Sequence, residues 1–137
     1  MPSSVAVYYE NAVGEIIGHP DGYALVRYHK LKWDLKQLRA LLEKLGSMLL
    51  VRGWQRILVD MRQIEPLSAV EKSFLVDEWY GRKIARPARL LTCYVLAESA
   101  LARLSVHDMQ EVARQYNLSV AFSTLEEAQS YLLTLPL

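Results

Sequence analysis

Four cations fall within eight positions of this chain, Arg82, Lys83, Arg86 and Arg89, directly after the aromatic pair Trp79–Tyr80. Such a run can hold a phosphate group, an anionic lipid or an acidic protein face. The simpler reading is a set of solvated cations near a helix C-terminus, where the helix dipole favours them. No glycine-rich loop accompanies the run, so the phosphate cradle of a P-loop is excluded. Trp79 and Tyr80 follow Phe74, Leu75 and Val76, and together these side chains give more apolar surface than one buried helical stripe requires. Excess apolar surface marks partner or ligand sites. The helix from Ser68 to Ala85 is therefore predicted to present a partner-facing or pocket-lining face at Trp79 and Tyr80, and Trp79, Tyr80, Arg82, Lys83, Arg86 and Arg89 together form the candidate partner or ligand surface.

Ser68 is the second candidate. It stands three residues before Glu71, the spacing of a capping box. A phosphate on such a serine would meet free backbone N–H groups and the positive end of the dipole, which is the physics of a phosphoswitch. The plainer role is an N-cap contributing about 1 kcal/mol. The other titratable groups assemble into nothing further. His107 and Glu111 have the i, i+4 spacing of two metal ligands on one helix face, yet no third ligand is implied, and the pair reads as a solvated outer face. His19 and His29 have no nucleophile motif nearby. Asp77 and Glu78 are adjacent and so diverge on a helix, which removes a carboxylate pair. Cys93, between Thr92 and Tyr94, reads as a buried, inert thiol. No catalytic, metal or cofactor constellation emerges, and the chain is predicted to be non-enzymatic and without a cofactor.

Composition narrows the setting. The 137 residues carry sixteen Lys+Arg, fifteen Asp+Glu and one cysteine, with an apolar share of 52%. That length predicts a single domain, residues 1–137, burying roughly two-thirds of its unfolded surface. One cysteine excludes an intrachain disulfide framework and a multi-cysteine zinc site. A net charge of +1 argues against a general nucleic-acid binder, which needs many cations on phosphates. No secretory h-region and no uncharged membrane-length stretch is present, so a cytoplasmic location without an integral membrane segment is expected.

The positioning elements follow from periodicity. Val5–Asn11, Glu15–Gly18 and Tyr23–His29 read as strands, the last two joined by the turn His19-Pro20-Asp21-Gly22. From Leu35 to Val51 the spacing of Leu35, Leu38, Leu41, Leu42, Leu45, Met48 and Leu49 gives one helical face, capped by Asp34 and closed by Gly53. Gly46 interrupts that face at a cost of about 1 kcal/mol relative to alanine. Ile57-Leu58-Val59, ending in Asp60, and Leu90–Ala97 are continuously apolar and fit strands buried on both faces. Met61–Leu67 reads as a loop. Leu101, Leu104, Met109, Val112, Ala113 and Tyr116 mark a further helix closed at Asn117. Leu118–Phe122 is a last strand. Ser123 or Thr124 caps a final helix whose inner face is Leu125, Ala128, Leu132 and Leu133. Strands alternating with helices imply an α/β domain with a mixed, mostly parallel sheet, helices on both faces and an N-terminal antiparallel hairpin.

This order, the stretch Ile57-Leu58-Val59-Asp60-Met61-Arg62 before a helix, and the closing Phe122-x-x-x-Glu126-Glu127-Ala128-x-x-Tyr131-Leu132 resemble the SpoIIAA-like family of small bacterial proteins within the STAS superfamily. The resemblance covers nearly the whole chain. It implies an anti-sigma-factor-antagonist type of fold, in which a serine opening the helix after the Asp-ending strand is phosphorylated. Ser68 lies eight residues after Asp60, close to that place. The family's Asp-Ser-Ser-Gly signature is replaced here by Pro66-Leu67-Ser68-Ala69-Val70. The expected function is a non-enzymatic interaction or regulatory module with a protein partner or a second copy of the chain. The alternative is a carrier for a lipid or another small apolar or anionic ligand, held in a pocket between helices and sheet. An empty, tightly packed interior favours the module, and an apolar cavity of several hundred Å³ favours the carrier.

Overall fold

The computed structural model describes residues 6–30, 33–113 and 118–134. Six strands form one sheet in chain order: β1 Ala6–Glu10, β2 Gly14–His19, β3 Tyr23–Tyr28, β4 Arg56–Asp60, β5 Leu91–Val95 and β6 Leu118–Phe122. The first three are an antiparallel meander, and β3 to β6 are parallel neighbours. The β2–β3 turn closes with the Gly22 N–H donating to the His19 carbonyl at 3.0 Å. Gly22 lies at φ +89°, where a residue with a Cβ is strained. The helices are α1 Leu35–Arg52, α2 Ala69–Phe74 (continuing as a π-helix over Leu75–Tyr80), α3 Ala100–Ala113 and α4 Leu125–Thr134.

Strand alternation sorts the core into two layers. Val26, Tyr28, Ile57, Val59 and Tyr94 face α1, the π-helical turn and α3. Leu25, Leu58, Leu91, Cys93 and Val95 face α4. Every residue of β5 is buried, as its unbroken apolar run predicts. The expected mixed sheet covered on both faces is thus observed, with three helices on one side and one on the other. α1 follows its sequence closely. Asp34 accepts from the Lys36 N–H, Gly53 ends the helix at φ +68°, and Leu38, Leu41, Leu42, Leu45, Met48 and Leu49 are buried.

Three expectations need correction. The helix opened by Ser68 ends at Tyr80 and not at Ala85. The Gly81 N–H donates to the Val76 carbonyl at 2.8 Å, an i→i+5 bond, and Arg82 then turns to φ +65°. On α3 the buried face is Ala102, Ser105, Val106 and Met109, whereas Leu101 and Leu104 point outward. Small residues let α3 approach its neighbours: Ser105 Oγ accepts the Leu67 N–H at 2.9 Å and donates to the Ala102 carbonyl at 2.7 Å. On α4, Ala128 and Leu132 are buried but Leu133 is exposed. The expected Val5, Tyr116 and Asn117 positions lie outside the described residues.

Candidate functional site

Ser68 sits on the loop between β4 and α2, and that loop is stitched on three sides. The Met61 N–H donates to the Val95 carbonyl, the Glu98 N–H to the Arg62 carbonyl, and the Leu67 N–H to Ser105. The capping box is complete. Ser68 Oγ accepts the Glu71 N–H at 3.1 Å, and the Ser68 N–H donates to Glu71 Oε1 at 2.8 Å. Ser68 is exposed beside Val70, itself 62% exposed. A groove of about 370 Å³ runs between α2 and α3, lined by Ala69, Lys72, Ser73, Val76, Asp108 and Met109. Leu101, 69% exposed, stands on the outer side of α3. A second open groove, about 410 Å³, lies on the other flank of α3 towards Leu96 and Ala121.

Behind the loop is a charge network that sequence reasoning missed. Asp60 is nearly fully buried at the end of β4. Its carboxylate accepts from Arg62 Nε at 3.0 Å and Nη2 at 2.8 Å, from the Arg62 N–H at 3.1 Å, and from Arg27 Nε at 3.4 Å. Arg27 donates in turn to Glu15 at 3.1 Å. Burial alone would raise the Asp60 pKa, but the bonds and charge of Arg62, with Arg27 beside it, hold it below the usual carboxylate range. The Asp-x-Arg spacing is visible in the sequence. The hairpin residues Glu15 and Arg27 become its neighbours only through β3–β4 pairing.

The basic run does not converge on one point. Lys83 pairs with Glu78 at 3.7 Å, and Glu78 also binds Arg39. Arg82 Nη2 donates to the Ala88 carbonyl at 2.7 Å. Arg89 is exposed. Arg86 is buried, with its guanidinium 5.2 Å from the centre of the Trp79 ring. The surface expected for Trp79 and Tyr80 is also corrected, since they are 5% and 4% exposed. The i→i+5 bonding widens the turn, so Leu75, Trp79 and Tyr80 share the sheet-facing side. There they line a cavity of about 30 Å³ with Tyr28, Thr92, Tyr94 and Met109. Burial pushes the Tyr28 and Tyr80 hydroxyls well above the ordinary tyrosine range, so both stay neutral.

The remaining candidates sit apart. His19 stacks on Tyr23 with centroids 4.4 Å apart. His29 Nε2 lies 3.1 Å from Glu10. His107 is exposed on α3. Cys93 is buried, and desolvation pushes its thiol up to about 11. Among the described residues, no three His, Cys, Asp or Glu side chains gather as a metal site, and no helix is long and apolar enough to cross a membrane.

No family model and no curated protein matches this chain. A solved structure does: an anti-sigma factor antagonist from Mycobacterium paratuberculosis, 16% identical, with a TM-score of 0.52 over 96% of this chain and 97% of that one. At that identity the likeness concerns the fold alone: this chain shares the mixed-sheet α/β fold of that structure.

Proposed function

We propose that the chain is a non-enzymatic, regulatory protein-interaction module of the STAS kind, acting through the face that α2 and α3 share. The observation that carries this reading is the filled interior. Among the described residues, the space between sheet and helices is about 30 Å³, room for a water or two. Ligand pockets run to roughly 300–1,000 Å³. That speaks against a lipid or small-molecule carrier. Among the described residues the larger hollows are open grooves on the outside, two beside α3 and one between α1 and residues 83–85, which suit side chains of a partner. The likeness to an anti-sigma factor antagonist, a protein whose role is to bind another protein, supports the same reading.

Val70 and Leu101 are the most exposed large apolar side chains of the two helices that line the groove, and we take them as the anchors of this face. The double variant Val70→Glu/Leu101→Glu changes two exposed positions, so its stability should stay within about 0.5 kcal/mol of the parent. In the source organism, the tagged parent should be isolated in a complex of fixed stoichiometry with a partner protein. The double variant should lose that partner at unchanged Tm. Retention of the same complex by the variant would place the contact elsewhere and overturn the assignment of this face.

A further inference from the structure

The segment from Gly81 to Leu90 holds a charge that the fold leaves unanswered. Arg86 is 8% exposed, and Nε, Nη1 and Nη2 are all buried without a hydrogen-bond acceptor. Among the described residues it is the only arginine so deeply buried. Arg27, Arg39 and Arg62 are each half-exposed, and each is paired with a carboxylate. Arg86 has no carboxylate partner among the described residues. Its neighbours are the Trp79 ring at 5.2 Å, the neutral Tyr80 hydroxyl, and Arg82, which carries the same sign. Arginine does not shed its proton in proteins. An unpaired buried cation costs more than contact with one aromatic ring returns, and Arg82 adds repulsion.

We infer that Arg86 and Arg82 form a binding site for a divalent oxyanion of the phosphate type. Two cations without a carboxylate between them complement a double negative charge. The guanidinium fork offers parallel N–H donors to two oxygens of one anion, and the Trp79 ring backs the fork and holds its plane. Arg89, exposed on the same segment, adds positive potential. The nitrogens are closed off from water, so the anion reaches them when the segment opens. The segment is suited to that: residues 81–90 form neither helix nor strand, Arg82 sits at φ +65°, and an exposed bond from Arg82 Nη2 to the Ala88 carbonyl spans it. This site is separate from the α2–α3 face and stands or falls independently of it.

The test is a titration of the purified chain with inorganic phosphate at constant ionic strength, with chloride as the matched control. Tm and tryptophan fluorescence are the readouts. The parent should show a saturable rise in Tm with phosphate and none with chloride. Arg86→Met removes the buried charge while filling its volume; it should fold with equal or higher Tm and lose the phosphate response. Arg86→Lys keeps the charge without the fork, and Arg82→Ala removes the second cation; each should weaken phosphate binding at least tenfold. O-phosphoserine as a second probe separates the sources: tighter binding than phosphate identifies a monoester, and weaker binding the free anion. A parent response no larger than that to chloride, or an equal response in Arg86→Met, overturns the inference. So does a high-resolution structure in saturating phosphate with only water on the guanidinium.

Discussion

Arg62 holds Asp60 with both prongs of its guanidinium, Nε on Oδ1 at 3.0 Å and Nη2 on Oδ2 at 2.8 Å, and adds its own backbone N–H to Oδ1. The two residues are one position apart from being neighbours, at the point where β4 ends and the loop to α2 begins. The pair therefore fixes the direction in which the chain leaves the sheet and, through the stitched loop, the placement of Ser68 and Val70.

Arg62→Ala should lower stability at neutral pH by about 1–2 kcal/mol, because Arg62 is half-exposed and Arg27 remains as a partner. The Asp60 pKa is depressed in the folded state, so the unfolded chain binds the extra proton first as pH falls. The stabilisation is complete above the unfolded value of about 3.9 and disappears as pH drops through the lower folded value. Denaturant unfolding of parent and variant should give curves that run parallel at neutral pH and converge in acid. A gap that stays constant through the acid transition would contradict the role given to this pair.

Gly46→Ala should destabilise, although alanine is the better helix former by about 1 kcal/mol. A Cβ at position 46 would lie 2.0 Å from the Ala85 carbonyl oxygen, which is backbone and cannot swing aside. Overpacking of this kind costs about 1–3 kcal/mol, so the balance is a net loss. A thermal melt showing a higher Tm for the variant would show that the 81–90 segment does not rest on α1 there.

Ser68→Ala should cost about 1 kcal/mol by removing the acceptor for the Glu71 N–H. Ser68→Glu should cost more, because its carboxylate meets that of Glu71, which already occupies the Ser68 N–H. A phosphate on Ser68 faces the same neighbour. Urea unfolding ranks the three proteins; a Glu variant as stable as the parent would show that Glu71 yields its place readily to a second anion.

α1 was legible almost residue by residue, because its stripe is made of large aliphatic side chains and burial follows size. α3 misled for the same reason. Ala102 and Ser105 take the packed side because they are small, and the larger Leu101 and Leu104 are left outside. Trp79 and Tyr80 looked like surplus surface under α-helical geometry, and only the wider π-turn brings both under the sheet. The basic run showed four charges but not which of them the chain turns inward. That depends on Gly81 and Arg82 redirecting the backbone, and a left-handed arginine has no sequence signature. Asp60 and Arg62 were visible as a motif, but their hairpin partners are set by strand order.

A domain that binds a protein and holds nothing of size inside is distinguished from a carrier by native mass spectrometry of the chain isolated gently from its source organism. The spectrum should show the 15.7 kDa chain in complex with a partner protein, free of any bound lipid or comparable molecule of several hundred daltons. A lone chain carrying such a ligand in stoichiometric amount would contradict the protein-binding role.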